Sequence, residues 1–407
     1  MQNQRSNYKL KMNKQNSYRL KMNKINKINV NRLNRSLNIL MSLTFIAFII
    51  VVILFNMLKV DKTFSEEENR PLATMPNFTI KGFLSGDFTE EYTEYVEDNF
   101  AGKKGFVNIK SNLEKLLGKN EINSIFLSED GYLLKKFVEG SAEETNAKIE
   151  AINSFYERHG NLNTSFMLTP TATKILEKKL PKYAPTDDEL NYINKVFSDL
   201  NNNITTINPY EALNENKDDY LFYRTDHHWT SKGAYIAYTV LCEKLGLTAN
   251  PIDYFNVVNV TNSFYGSLSS QIGVQENDAD SIDVYIPKES DFVVNYVTEQ
   301  KKSTSLFDST YLDKKDKYEV FTGGNHPLIN IKTLADPNKK LLIIKDSYAN
   351  SFLPFLTSHY GEINVVDLRY YYDDLDKLIE NREITDVLFL YNANTFNSDD
   401  SILNIGS

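Results

Sequence analysis

The sequence predicts an α/β fold: a parallel sheet covered on both faces by helices, interrupted by a β-rich insertion and preceded by one membrane-spanning helix. Three observations carry that expectation. An uncharged run, Leu37–Leu58, stands near the amino end. Apolar strand-length runs alternate with helix-length segments toward the carboxyl end. Between residues 250 and 320 this rhythm breaks into short β-like runs separated by turn residues.

The uncharged run comes first. A helix of about 20 residues crosses a bilayer core of roughly 30 Å, and Leu37–Leu58 reaches that length without one Asp, Glu, Lys or Arg. A buried core helix is shorter and less uniformly apolar. A cleaved signal peptide has an apolar region of about 7–15 residues and a small-x-small cleavage site; Asn56-Met-Leu-Lys-Val60 offers none.

Charge orients the span. The net −9 averages two unlike pieces: residues 1–36 hold ten Lys or Arg and no acid, leaving 35 of the 45 basic residues against all 54 acidic ones. Basic flanks stay cytoplasmic, so the tail 1–36 is expected inside and residues from 59 onward outside. Within the tail, Tyr8-Lys-Leu-Lys-Met-Asn-Lys14 recurs as Tyr18-Arg-Leu-Lys-Met-Asn-Lys24. A basic, Asn-rich arm beside a span reads as a topogenic segment touching anionic lipid, and no nucleic-acid partner is expected. A lone cysteine, Cys242, excludes an intramolecular disulfide and any zinc site of several thiolates. An exported domain without disulfides fits a bacterial cell envelope. With 41% hydrophobic and 24% charged residues, neither disorder nor a collagen-like chain is tenable.

Beyond the span, residues 59–118 read as a polar connector followed by amphipathic helices, with Phe88, Tyr92, Tyr95, Val96 and Phe100 at helical spacing. A catalytic domain is expected over 119–407. Its strands are predicted at 165–170, 341–346, 363–368 and 386–392. A helix-length segment at 347–359, interrupted by Pro354, and a helix at 373–381 lie between the last three. Near-continuous apolar strands alternating with helices specify a parallel sheet buried on both faces. Residues 250–320 are an insertion or an antiparallel extension of the same domain. Ligands of such sheets bind beyond the carboxyl ends of the strands. Asp346-Ser347, Asp367–Arg369 and Tyr391–Asn394 should therefore converge.

Chemistry concentrates in Tyr223-Arg-Thr-Asp-His-His-Trp-Thr230, which holds two of the five histidines and the only tryptophan. Residues i and i+2 of an extended segment share a face, so Asp226 pairs naturally with His228 as orienter and base, with Trp229 as a rigid wall. His227 is the alternative base. In a second chemistry, Asp226, His227 and His228 begin a metal site completed by a distant ligand such as His326. The nucleophile candidate is Ser347, at a strand-to-helix turn where backbone N–H groups can face a developing oxyanion; the plain alternative is a helix N-cap. Asn325 in Thr322-Gly-Gly-Asn-His-Pro327, Tyr348, Arg369 and Asn392 are candidates for oxyanion or substrate contacts. Gly-Gly-Asn is also ordinary turn chemistry, and Arg369 could equally be a surface ion pair.

Together these residues resemble a known family. Tyr223–Thr230 with Gly233-Ala-Tyr235, Phe64-Ser-Glu-Glu-Glu-Asn-Arg70, Phe321-Thr-Gly-Gly-Asn-His-Pro327 and Lys345-Asp-Ser-Tyr-Ala-Asn-Ser-Phe352 resemble the DHHW family, related to SGNH-type alginate O-acetylation proteins. The resemblance implies a three-layer SGNH-hydrolase-like fold, with Ser347 as nucleophile, His228 as base and Asp226 as orienter, and no cofactor. Two departures are visible: a histidine stands between acid and base, and the Gly-Asp-Ser block reads Lys345-Asp346-Ser347. The expected activity is that of a membrane-anchored extracytoplasmic O-acyltransferase or esterase, acetyl by resemblance, acting on a cell-surface polysaccharide. A polytopic membrane O-acyltransferase is the implied partner. The alternatives are a non-catalytic glycan-binding or assembly scaffold with a vestigial site, and a metal-dependent hydrolase.

Overall fold

The computed structural model describes residues 2–62, 64–65, 70–273, 278–288 and 291–406. Many side chains of the basic tail, and Glu66–Asn69 of the Phe64–Arg70 motif, lie outside the described residues. The chain forms two compact units, Met1–Thr63 with Pro71–Lys103, and Phe64–Arg70 with Lys104–Ser407.

In the first unit, one helix runs Gln2–Leu58, and its Leu33–Leu58 portion is long and apolar enough to cross a membrane. Short helices Ile80–Ser85 and Asp87–Asn99 follow, joined at Gly86, whose φ of 96° lies where a side chain would be strained. The second is tied to the end of the long helix: Lys59 Nζ donates to the Asn99 carbonyl at 2.8 Å, and Tyr95 donates to Asp61 at 2.7 Å. Helix Lys103–Leu116, grouped with the connector in the sequence, leads into the second unit.

The second unit is built on one eight-stranded sheet. Its strands are β1 (Asn163–Thr169), β2 (Thr205–Ile207), β3 (Phe292–Tyr296), β4 (Lys301–Ser303), β5 (Leu328–Thr333), β6 (Lys340–Lys345), β7 (Glu362–Val366) and β8 (Asp386–Asn392). Spatial order is β4-β3-β5-β7-β6-β8-β1-β2. β7, β6, β8, β1 and β2 are mutually parallel, while β5, β3 and β4 add an antiparallel flank. The sheet is therefore mixed rather than wholly parallel. Residues 250–320 fill both expected roles: Phe292–Tyr296 and Lys301–Ser303 extend the sheet, while Phe255–Phe264 and Asp280–Pro287 form a separate hairpin around helix Ser267–Ile272. That short helix was hidden among turn residues.

Alternation along the strands makes three layers. Phe166, Leu168, Leu342, Ile344, Val387 and Phe389 face a core shared with helices Ala142–Arg158, Glu189–Asp199 and Leu375–Arg382. Met167, Leu341, Ile343, Leu388 and Leu390 face the opposite core, shared with helix Ser231–Leu245 and the turn-helix Tyr348–Phe352. Side chains of period two can fill both cores only if both faces are covered. Pro354 ends the helix after Ser347 early, and a 3₁₀ segment Leu353–Leu356 takes over.

Strand direction brings the site together. The carboxyl ends of β1, β6, β7 and β8 share one edge of the sheet, and antiparallel β5 brings its amino end to the same edge. Asn325 thereby arrives beside Lys345, 20 residues later in sequence.

Glu189, buried to 1%, holds the turn after β1 by accepting from the Thr171 N–H and hydroxyl. Burial raises its carboxyl to about 7, partly offset by those two donors. A folded carboxyl above its unfolded range of roughly 4.3–4.5 binds more protons than the unfolded chain, so stability falls as pH rises from about 4.5 to about 7. Glu189→Gln is expected to remove this part of the decline, read as urea midpoints between pH 5 and pH 8.

Candidate active site

The Asp226–Trp229 segment is a tight loop between an isolated pairing of Phe222 with Trp229 and helix Ser231–Leu245, whose Thr230 cap accepts from the Gly233 N–H at 3.3 Å. Such a loop leaves backbone donors unpaired, and one buried carboxylate collects them. Asp280 accepts from Tyr220 Oη at 2.5 Å, from the N–H groups of Arg224 at 2.9 Å and Thr225 at 2.8 Å, and from the Thr225 hydroxyl at 2.5 Å.

With the loop so bent, Asp226 turns inward. Its carboxylate accepts from the N–H of His228 at 2.9 Å and of Ser267 at 2.8 Å, and meets His228 Nδ1 at 2.5 Å. Burial alone would raise its pKa; the His228 and His227 imidazoles and these donors outweigh it and hold Asp226 well below the usual carboxylate range. Gly266 makes the approach possible, since a Cβ there would lie 2.2 Å from the Asp226 Cβ.

The other nitrogen of His228 meets Ser347. Nε2 lies 2.7 Å from Ser347 Oγ, so acid, imidazole and hydroxyl form one continuous hydrogen-bonded line. Ser347 makes no capping bond; Asp346 Oδ1 accepts the Tyr348 N–H instead, at 2.9 Å. His227 lies outside the line. Its Nδ1 meets Ser267 Oγ at 2.7 Å and stands 3.7 Å from Asp226. Burial, then the neighbouring His228, hold His227 below the ordinary imidazole range, which favours the neutral form.

The remaining candidates separate by what they already bind. Trp229 is fully buried, its indole N–H donating to the Tyr348 carbonyl and Ser351 Oγ, both at 3.0 Å; it supports the serine-bearing helix from behind and is no site wall. Tyr348 is buried too, its hydroxyl spent on the His227 carbonyl at 2.7 Å. Asn392 gives its N–H and amide to Asp346 at 2.8 and 2.7 Å and caps the following helix. Arg369 grips Asp367 through two bonds of 2.8 and 2.7 Å. Asn325 keeps its amide hydrogens: its Oδ1 accepts from Lys345 at 2.8 Å and Asn350 at 3.1 Å, which turns the amide nitrogen away from them. His326 is placed apart, bonded to Glu299 at 2.7 Å and the Thr322 carbonyl at 3.0 Å, while Asp226, His227 and His228 cluster without it.

Sequence reasoning missed Tyr318, Asp280 and Gly266, and marked Lys345 only as a departure from the family pattern. Tyr318 lies flat on the His228 ring, with centroids 3.7 Å apart and planes 8° from parallel. Its hydroxyl reaches the Ser347 carbonyl at 3.0 Å and Ser351 Oγ at 3.2 Å. One side chain thus touches both ends of the histidine–serine contact. No spacing marks Tyr318, Asp280 or Gly266, because each acts across a long sequence separation.

Three substitutions test this geometry through the rate at which a sulfonyl fluoride labels Ser347. Gly266→Ala should push Asp226 off His228 and slow labelling roughly 10²-fold with far-UV circular dichroism unchanged, the scale of a misplaced group near 1 Å. Tyr318→Leu should slow labelling about tenfold, because the ring that fixes the plane of the His228 imidazole is lost. Tyr318→Phe, which keeps that ring, should retain most of the rate.

The DHHW protein family profile matches residues 123–366. A DHHW family protein from Eubacterium siraeum superposes with TM-score 0.62 at 26% identity, over 70% of this chain and 95% of that one. Bacillus cereus PatB1, solved with a sulfonyl adduct, superposes with TM-score 0.59 at 23% identity, over 69% of this chain and 99% of that one. The O-acetyltransferase domain of Pseudomonas putida AlgJ is more remote, at TM-score 0.43 and 15% identity over 68% and 93%. No curated protein matches the sequence. The profile spans the motif loop, the Gly-Gly-Asn turn and the Ser347 turn together, and on that ground the chain belongs to the DHHW family.

Proposed function

We propose that this chain is a membrane-anchored extracytoplasmic O-acyltransferase or esterase, working through Ser347, His228 and Asp226. The observation that carries the reading is the unbroken line from Asp226 through His228 to Ser347, at 2.5 and 2.7 Å. His228 takes the Ser347 proton as Oγ attacks an acyl carbonyl. The Ser347 N–H and the Asn325 amide are the donors available to the oxyanion. Collapse releases the leaving group, protonated by His228, and leaves an ester on Ser347. A sugar hydroxyl, or water, then gives its proton to His228 and attacks that ester, and His228 returns the proton to Ser347 Oγ as it leaves. Asp226 stays ionised throughout and stabilises the imidazolium.

The acetyl group and a cell-surface polysaccharide acceptor follow from the resemblance to alginate O-acetylation proteins. So does a polytopic membrane O-acyltransferase that hands over the acyl group. Helix Leu33–Leu58 serves as the anchor, and the basic tail before it favours a cytoplasmic amino end. The metal alternative is less well supported: both ring nitrogens of His228 already have triad partners, and His326 bonds elsewhere.

PatB1 was solved with a sulfonyl adduct, which makes a sulfonyl fluoride the probe of choice. The full-length chain in detergent should hydrolyse p-nitrophenyl acetate and be sulfonylated at Ser347. Ser347→Ala should abolish labelling and lower turnover by at least about 10³-fold, and Asp226→Asn should lower it about 10⁴-fold. A wild type that neither turns over nor labels would sink the triad; turnover lost to a chelator would favour the metal reading.

A further inference from the structure

Beside the triad lies a cleft of about 110 Å³, lined by Lys135, His227, Gln271 and Asn394 together with Leu133, Ala172 and Leu268. Two routes bind it to the reacting serine. His227 on its wall lies against His228, ring centroids 3.9 Å apart and planes tilted by 37°. Asn392, also on the wall, holds Asp346, the residue before Ser347, through two bonds of 2.8 and 2.7 Å. A ligand group seated here is therefore next to the chemistry.

Most polar groups around the cleft are already satisfied. The Thr171 hydroxyl is given to Glu189, that of Thr173 to the Lys135 carbonyl and that of Ser398 to the Asn394 carbonyl. Four are not. Among the described residues, the Lys135 ammonium, the side-chain amides of Gln271 and Asn394, and the Nε2 of His227 have no protein partner, His227 being held through Nδ1 alone. Neighbouring lysines differ: Lys136 pairs with Glu121 at 3.5 Å and Lys174 with Glu177 at 3.0 Å and Asp188 at 3.1 Å. No carboxylate pairs with the Lys135 ammonium, so its charge acts on the cleft and on His227. A full ligand pocket usually measures about 300–1,000 Å³. This one is small, and receives one edge of a larger molecule.

We propose that the cleft is the acceptor subsite and takes the carboxylate-bearing edge of an acidic sugar unit. The carboxylate sits on Lys135, and neighbouring hydroxyls meet the amides of Gln271 and Asn394 and the Nε2 of His227. The assignment deepens the acyl-transfer reading and rests on it for the name "acceptor". The lining of the cleft holds one ammonium and no carboxylate, which makes Lys135 a selector of register: a uronic-acid unit docks where a neutral unit has no counter-charge. Lys135 is a binding residue, and Ser347, His228 and Asp226 act on whatever it presents.

Calorimetry on full-length Ser347→Ala protein in detergent tests the subsite without turnover, with a glucuronyl-glucose disaccharide, its all-glucose counterpart and glucose 6-phosphate as probes. The acidic disaccharide should bind at least tenfold tighter than the neutral one. Lys135→Met should erase that preference, while Lys136→Met, whose ammonium already pairs with Glu121, should keep it. Equal binding of the two disaccharides, an unchanged preference in Lys135→Met, or tighter binding of the sugar phosphate would each overturn the proposal. Ester turnover by the wild type is scored separately. Absent turnover with an intact preference strikes the triad alone; turnover without a preference strikes the cleft alone.

Discussion

Asp280 is the constraint on which the rest of the site depends. One carboxylate with no exposed surface takes four donors from residues 220–225, and those bonds curl the chain so that Asp226 and His228 emerge facing Ser347. Burial raises the Asp280 carboxyl, and the Thr225 and Tyr220 hydroxyls and backbone N–H groups work against that rise. Buried polar groups are costly when unmatched and rigid when matched. Here the carboxylate and the loop's donors satisfy each other, and that match holds the bend.

A second buried network does the same for the serine side. Lys345, 1% exposed, donates to Asn325, Asn350 and Asp367, and Asp367 also takes the Arg369 fork. Removing one member of such a set strands a charge, so its worth lies in geometry more than in net stability. Lys345 sits where the related pattern has glycine. The ammonium beneath the turn orients the Asn325 amide, a task the missing glycine could not perform.

Much of this was legible locally. Apolar length marked the long helix, period-two alternation marked β1, β6, β7 and β8, and Asp226 with His228 followed from i, i+2 geometry. The antiparallel flank was harder to read, because Phe292–Tyr296 and Lys301–Ser303 are short and lie among turn residues. Trp229 was misplaced because an aromatic beside a motif reads as a wall, and only packing shows that it supports a helix.

What the sequence by itself determined is what depends on neighbours along the chain: the long apolar helix, its basic flank, the layered α/β pattern and the identity of a carboxylate, an imidazole and a hydroxyl. Tertiary structure decided what depends on distance. His228 and Ser347 are 119 positions apart, so which histidine meets the serine is settled by strand order and the Asp280 bend. The Tyr318 stack and the uncompensated Lys135 belong to the same class, since a ring face or a missing counter-charge exists only once remote segments are packed together.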